Sequence, residues 1–383
     1  MSAEIVAITM PKWGLTMTEG KVVQWLKPPG AAFARGEELL EIETSKITNV
    51  VEAEADGTLL RIVAPEGSTL PIGALLAVIA PQSTPTAEID AFVAGFLVAQ
   101  ASEERSGTAS TQAEAATPRD LEAAGRRLRY LEMGSGELGS GGGGVPVLLL
   151  HGFGADLNSW LFTQPVLTEG RRTIALDLPG HGGSSKDVGA GDVESLTGAV
   201  EAALAALGIE RAHLVGHSMG GAVAASLAAR LPERVATLTL IASAGLGPEI
   251  NAAFIDGFVR AARRKDAVEV LQLLVHDPAL VSRAMVEDVL RYKRIDGVAA
   301  ALETVARAWF PAGRQTLDLV SAVTGLATPV QLIWGRDDRI IPVAHAEALA
   351  ARLPVHILEQ AGHLPHMEKA GAVNRLIRQF IEA

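Results

Sequence analysis

The hydrophobic and polar positions of this chain fall into two regimes. Through residues 1–80 the apolar runs are short and broken by glycine and proline, which predicts an all-β module of small strands and tight turns. From about residue 123 onward, longer apolar runs alternate with stretches whose apolar residues recur at helical spacing. Strands are predicted at RRLRYLEM, VPVLLLHG, RTIALDL, AHLVGHS, ATLTLIA, PVQLIWG and VHILEQA, with helices such as VESLTGAVEAALAAL and GGAVAASLAARLP between them. Continuous apolar strands separated by helices predict a mostly parallel sheet covered on both faces. RRLRYLEM and VPVLLL are expected to pair as a hairpin across the glycine-rich run at 134–144. Residues 246–325 lack convincing strands and read as helices, a block inserted between strands that suggests a cap. Residues 81–122 read as a linker with a short helix at EIDAFVAGFLVAQ, followed by a polar, mobile stretch.

The first regime repeats itself. A shift of 37 positions brings Gly20 onto Gly57, Pro28 onto Pro65, Gly30 onto Gly67 and Gly36 onto Gly73, and Leu39 and Ile42 onto Leu76 and Ile79. Matching glycines imply matching turns, because positive φ is cheap only for glycine. Two similar halves imply two similar sheets about a pseudo-twofold axis, with Lys46 between them where a hairpin should protrude.

Composition narrows the chemistry. The chain has 383 residues, enough for two or more domains, and is 48% hydrophobic and 20% charged, enough to bury a large core. A net charge of −11 argues against nonspecific nucleic-acid binding. Without cysteine there is no disulfide, thiolate nucleophile or thiolate metal site, so any nucleophile is an oxygen or a nitrogen. No histidine pair at helical spacing with a carboxylate suggests a metal. No signal peptide is visible at MSAEIVAITMPK and the longest apolar stretches are strand-length or interrupted, so the expectation is a cytoplasmic protein without a membrane span.

The densest chemistry lies in the second regime. AHLVGHSMGGAVAASLAA reads as strand, Gly-x-Ser-x-Gly, then helix. The glycines permit a cramped turn that lifts the Ser218 hydroxyl clear of the sheet, and Met219 then opens a helix whose amide can meet an oxyanion. WGRDDRIIP offers Asp337 and Asp338 after a strand, and AGHLPHME offers His363 and His366 after the next, giving the chain order Ser, Asp, His. LHGFG follows an earlier strand, so the amide of Phe153 is a candidate second oxyanion donor. By residue pattern alone, both aspartates and both histidines qualify. The simpler readings are a surface ion pair for Asp337, a packed side chain for His366, loop-shaping roles for His151 and His181, and a side chain pointing away from the chemistry for His217.

HGFG, DLPGHGGS, GHSMGG, WGRDD and AGHLPHME together resemble the α/β-hydrolase superfamily over residues 123–383. That resemblance implies a catalytic triad of Ser218, Asp338 and His363, since the family's WGxxDxxxP and GHxxHxE patterns favour the second aspartate and the first histidine. Lys369 and Ala370 follow Glu368 where the family often has proline, a departure that concerns packing.

Residues 1–80 resemble lipoyl/biotinyl carrier domains of barrel-sandwich fold through MPKWGLTMTEG, the paired KPPG and APEG turns and ETSKITNVVEAEADG. Ser45 and Ile47, rather than methionines, flank Lys46, which fits the lipoyl subtype; Ser45 departs from its usual aspartate. The resemblance implies lipoate attached covalently to Lys46 by a lipoate ligase.

The His-x-x-x-Asp-Gly motif of the usual 2-oxoacid dehydrogenase acyltransferases is absent. The fusion instead resembles, over nearly the whole chain, the acetyltransferase components of bacterial acetoin dehydrogenase complexes. That implies transfer of acetyl from Lys46-bound lipoate to coenzyme A. It also implies two partner enzymes, a thiamine-diphosphate-dependent acetoin-cleaving E1 and a dihydrolipoamide dehydrogenase E3. The alternatives are a serine hydrolase of esters, thioesters or carbon–carbon bonds with an attached lipoyl arm, a non-catalytic scaffold, and a carrier of another acyl group.

Overall fold

The computed structural model describes residues 5–11, 19–44, 48–53, 56–106, 116–134, 144–168 and 170–383. The chain divides into two compact units, Met1–Ala116 and Thr117–Ala383.

The first unit contains β1 (Val6–Thr9), β2 (Glu19–Trp25), β3 (Ala32–Phe33), β4 (Glu38–Glu43), β5 (Thr48–Glu52), β6 (Gly57–Ile62), β7 (Thr69–Pro71) and β8 (Leu75–Ile79). They form two four-stranded sheets, ordered β1-β8-β6-β3 and β5-β4-β2-β7. Each strand of one sheet has its counterpart at the same place in the other, so the sequence repeat is a structural repeat. The turns match as well: φ is 86° at Gly30 and 84° at Gly67, both in the left-handed region. The Gly30 amide donates to the Leu59 carbonyl at 2.6 Å, and the Gly67 amide to the Val22 carbonyl at 2.7 Å. Val22 and Leu59 are themselves repeat mates, and both are buried with Leu39, Ile42 and Leu76 in the core between the sheets. β4 and β5 pair antiparallel, with Glu43 opposite Thr48 as the last pair before the chain turns. Lys46 is in that connection and lies outside the described residues, as do Ser45 and Ile47.

Helix α1 (Thr86–Ser106) is longer than the short helix expected within 81–122. Ile89 is buried against Leu75 and Val78, and Phe92, Val93 and Phe96 join the same cluster. The apolar spacing that marked the helix therefore serves packing on the carrier module.

The second unit is built on one eight-stranded sheet: β9 (Arg119–Ala123), β10 (Arg126–Met133), β11 (Gly144–Leu150), β12 (Arg171–Leu176), β13 (Ala212–His217), β14 (Val235–Ile241), β15 (Val330–Gly335) and β16 (Val355–Leu358). Its order is β16-β15-β14-β13-β11-β12-β10-β9. β9, inside the segment read as linker, pairs with β10 in a hairpin.

The hairpin expected between RRLRYLEM and VPVLLL does not form. β10 pairs with β12, and β11 lies between β12 and β13, parallel to both. The physical reason is burial. The last four residues of β11 are all buried, which suits a central strand, whereas β10 mixes buried and half-exposed positions and suits a place nearer the edge. Residues 135–143 of the glycine-rich run lie outside the described residues.

The helices that follow the early strands are α2 (Gln164–Leu167), α3 (Val193–Ala206) and α4 (Met219–Arg230), with α4 packed on β13, β14 and α3. Between β14 and β15 come α5 (Ala252–Arg260), α6 (Arg264–Leu271), α7 (Arg283–Lys293), α8 (Val298–Trp309) and α9 (Val320–Thr324). These occupy the stretch read as a cap. The unit closes with α10 (Ala344–Glu347), α11 (Pro365–Glu368) and α12 (Ala370–Glu382). The loops after β11, β13, β15 and β16 leave the carboxyl ends of parallel strands, where open α/β sheets place their sites.

Candidate active site

β13 is buried at every position and ends at His217, so the chain must leave the sheet abruptly. Ser218 makes that exit at φ 53° and ψ −118°, a conformation costly for a side-chain-bearing residue. Backbone hydrogen bonds hold it there. The Ser218 amide donates to the Ile241 carbonyl at 2.9 Å, and its carbonyl accepts from the amides of Gly221 and Ala244, each at 3.0 Å. The flanking glycines serve close approach: a Cβ at Gly216 would stand 2.4 Å from the Gly220 carbonyl oxygen, and one at Gly220 would stand 2.3 Å from that of Leu150. α4 starts at Met219, so this amide is a first-turn donor without an intrahelical partner.

β15 and β16 deliver the other two groups. Nδ1–H of His363 donates to Oδ2 of Asp338 at 2.8 Å. Oδ1 of Asp338 accepts from the amides of Ile340 and Ile341 at 2.8 and 2.9 Å. The Asp338 carboxylate thus accepts three N–H groups, and its bond to His363 places a ring proton on Nδ1, so that Nε2 is the other ring nitrogen. Both side chains are buried, so the pair is shielded from solvent. Asp337, the rival aspartate, faces outward and pairs with His276 at 2.9 Å.

The neighbouring histidines build the frame of the site. His217 donates through Nε2 to the His363 carbonyl at 2.8 Å, with the two rings 4.8 Å apart. His366 lies between the rings of Trp160 and His217, at 4.9 and 4.5 Å, and neither of its nitrogens has a partner among the described residues. Burial, with His363 beside it, pushes the His366 imidazole down to about 3, and burial keeps His217 neutral as well. His151 donates through Nδ1 to the Gly152 carbonyl at 2.8 Å and accepts the Leu178 amide at Nε2 at 3.0 Å, tying the HGFG loop to DLPGHGGS. In that second loop Asp177 accepts the amides of Leu157 and Gly183, both at 2.7 Å. Glu368 takes the amides of Gly362 and His276 at 2.8 and 2.6 Å and so closes the loop that presents His363.

HGFG lies directly against Ser218. A Cβ at Gly152 would stand 2.9 Å from Nδ1 of His217 and 3.0 Å from Cβ of Ser218, which puts Phe153 beside the serine. The Phe153 ring meets Phe258 of α5 at 5.9 Å and Phe310 after α8 at 6.2 Å, both edge-on. Aromatic side chains of α5 and of the turn after α8 thus pack over the HGFG loop, and only 8% of Ser218 is exposed. Among the described residues no group of three or more His, Asp or Glu side chains is placed to hold a metal, and no helix is long and apolar enough to cross a membrane.

Two family models match the chain. Residues 145–370 match the alpha/beta hydrolase fold, and residues 6–79 match the biotin-requiring enzyme family of biotinyl and lipoyl carriers. The dihydrolipoyllysine-residue acetyltransferase component of the acetoin cleaving system of Pseudomonas putida is 46% identical over 99% of both chains. Its counterpart in Cupriavidus necator is 41% identical over 100% of this chain and 98% of that one. The chain belongs to this acetyltransferase family. A solved meta-cleavage product hydrolase of Pseudomonas fluorescens IP01 superposes with a TM-score of 0.62 over 69% of this chain and 97% of its own, at 24% identity, a likeness of fold alone.

Within the acetyltransferase family's shared frame, each site residue read from the sequence has a defined place here except Lys46. The HGFG loop and Met219 adjoin Ser218, Asp338 bonds His363, and His217, the residue before Ser218, holds the His363 carbonyl. Two contributors were missed. His217 reads as a side chain directed elsewhere, yet it holds the backbone of His363, and Glu368 reads only as part of a motif, yet it clamps two loop amides. No local signal marks either, because each acts on backbone distant in sequence.

Proposed function

We propose that this acetyltransferase moves an acetyl group from lipoate on Lys46 to coenzyme A, with Ser218 as the nucleophile. The observation that carries the reading is the 2.8 Å bond between His363 and Asp338 beside a strained serine turn, on a chain that also bears a carrier module. The carrier fits its group: the β4–β5 register leaves a short connection at the hairpin end, and that connection contains a lysine, the amine an amide link requires. Lipoate on that lysine supplies a thiol that carries acetyl as a thioester.

The chain's own residues perform the transfer. Ser218 Oγ attacks the thioester carbonyl while Nε2 of His363 takes its proton. The amides of Met219 and Phe153 receive the charge on the carbonyl oxygen; one such donor is typically worth about 3 kcal/mol. His363 returns the proton to the departing sulfur, which leaves acetyl on Ser218. The thiol of coenzyme A then gives its proton to His363 and takes the acetyl, restoring the serine. Asp338 holds the tautomer of His363 throughout. Phe153, Phe258 and Phe310 exclude water, so that a thiol rather than water accepts the acyl group.

Membership of the acetoin-cleaving acetyltransferases supports an E1 that cleaves acetoin with thiamine diphosphate, an E3 that reoxidises the dithiol, and a lipoate ligase as further partners. The direct test is product analysis with acetyl-dihydrolipoamide, with and without coenzyme A. The expected result is acetyl-CoA that depends on coenzyme A and falls by about a thousandfold or more in Ser218→Ala. Acetate formed at the same rate in both conditions would identify a hydrolase instead, and full turnover by the alanine variant would mean direct transfer without an acyl-serine.

A further inference from the structure

The charge of the chain is unevenly placed. Between Phe258 and Arg294 the sequence holds eight Lys and Arg against five Asp and Glu, a net of +3, although the chain as a whole is −11. The rest of the molecule therefore carries −14. This basic segment covers the end of α5, α6 and α7, all in the cap.

Its ion pairs separate the cations into two groups. Arg263 pairs with Asp266, Lys265 with Glu269, Arg283 with Glu287 and Arg291 with Asp288. Lys293 turns inward to the carbonyls of Phe258, Val259 and Ala261 at the end of α5, which joins the ends of α5 and α7. Arg260, Arg264 and Arg294 are left, all exposed and, among the described residues, without an ion pair. Lys293 ties together the elements that carry two of them: its carbonyl partners flank Arg260, and Arg294 follows it in sequence, while Arg264 opens α6 four residues after Arg260. α6 packs on α7 through Ala267, Leu271 and Val286.

The strip is also tied to the acyl site. Phe258, two residues before Arg260, is one of the side chains that pack on Phe153 of the HGFG loop. Three guanidiniums without an ion pair among the described residues, at the end of α5, the start of α6 and the end of α7, suit an acceptor with a thiol at one end and several phosphates at the other. Arginine pairs with phosphate oxygens through two parallel hydrogen bonds, which a lysine cannot do.

We propose that Arg260, Arg264 and Arg294 bind the phosphates of the 3′-phosphoadenosine diphosphate end of coenzyme A, with the pantetheine arm running past Phe258 to Ser218. This rests on coenzyme A being the acceptor, and the test separates the two claims. Binding of coenzyme A and of pantetheine, which lacks the phosphates, is measured by calorimetry on the full chain and on the triple variant Arg260→Glu/Arg264→Glu/Arg294→Glu. Affinity for coenzyme A is expected to fall at least about tenfold, more than for the milder triple change to Gln, while pantetheine binding and thermal unfolding stay unchanged. Added salt should weaken wild-type binding of coenzyme A and leave the variant nearly indifferent. Equal affinity of wild type and reversed variant, or no binding of coenzyme A to the wild type, overturns the site. Acetyl-CoA formation with an unchanged KM for coenzyme A in the variant would also sink the strip while sparing the transferase reading. Tight, strip-dependent binding without acetyl transfer would do the reverse.

Discussion

In the carrier module, Gly30 and Gly67 share one backbone conformation and donate to carbonyls that are themselves repeat mates, Leu59 and Val22. In the hydrolase unit, Gly216 and Gly220 have no such copies. They exist because the first turn of α4 presses onto the ends of β13 and β11. One region is organised by a short-range rule applied twice, and the chemistry proposed for it needs a single lysine, Lys46. The other gathers groups separated by up to 210 positions, from Phe153 to His363, and its chemistry is the meeting itself. Local patterns can reveal the first kind of order. The second leaves only fragments along the chain, each ambiguous until the sheet orders them.

Substitutions can break this contrast at different depths. The largest effect is expected from Asp338→Asn, which keeps the shape of the site but removes the anion that fixes the proton of His363. Acetyl transfer should fall by roughly 10⁴-fold with thermal stability little changed, and a kinetic assay with free acetyl-dihydrolipoamide would show it. A loss under tenfold would mean that Asp337 can serve in its place.

Acid should separate the two units next. All nine histidines lie at or beyond His151, so none is in the carrier module. Burial holds His151 down to about 4 and His181 and His366 to about 3, with His217 also lowered. Unfolding would restore these groups to about 6.5, so below that pH the unfolded chain binds more protons than the folded one. Their contribution to stability is complete above about pH 6.5 and is lost as pH falls toward about 3. Asp177 works in the opposite sense. Burial, with Asp156 nearby, raises it to about 7, so its contribution declines as pH rises from 3.8 to about 7. The histidines outnumber it, and regional hydrogen exchange between pH 7 and 4 should show the hydrolase unit opening while the carrier module stays protected. Simultaneous opening would count against the buried histidines as the cause.

A smaller loss is expected from Gly220→Ala. Its Cβ would meet backbone carbonyls of β11 and the HGFG loop that cannot move independently. The hydrolase unit should lose about 3 kcal/mol in denaturant unfolding, while the carrier transition stays where it was. The smallest effect tests the symmetry. Gly30→Ala and Gly67→Ala add a methyl group into open space at nearly equal φ, so each should cost about 1 kcal/mol. Unequal costs would mean that the two halves are less alike energetically than in geometry.

Much of the carrier was legible before any coordinates. The 37-residue repeat located the turns, and the matching φ values follow from the glycine positions. The hydrolase site was legible as a set of motifs, but the residue pattern left Asp337 against Asp338 and His363 against His366 open. Those pairs are chemically identical. What separates them is direction: Asp338 turns in to His363 and Asp337 out to His276, while His366 is sealed between Trp160 and His217. The misread hairpin has the same origin. Adjacent strands invite local pairing, yet β12 comes between β10 and β11 because the most apolar strand belongs at the centre of the sheet.

The sequence by itself determined the element types, the twofold carrier, the tight turn at Ser218 and the chain order of Ser218, Asp338 and His363, because each rests on periodicity or on backbone freedom within a few residues. Only the tertiary structure decided strand order, the different surroundings within each Asp and His pair, the support of His363 by His217 and Glu368, and the joining of α5 to α7 through Lys293. These depend on which distant surfaces bury each other, and burial is a property of the folded chain as a whole.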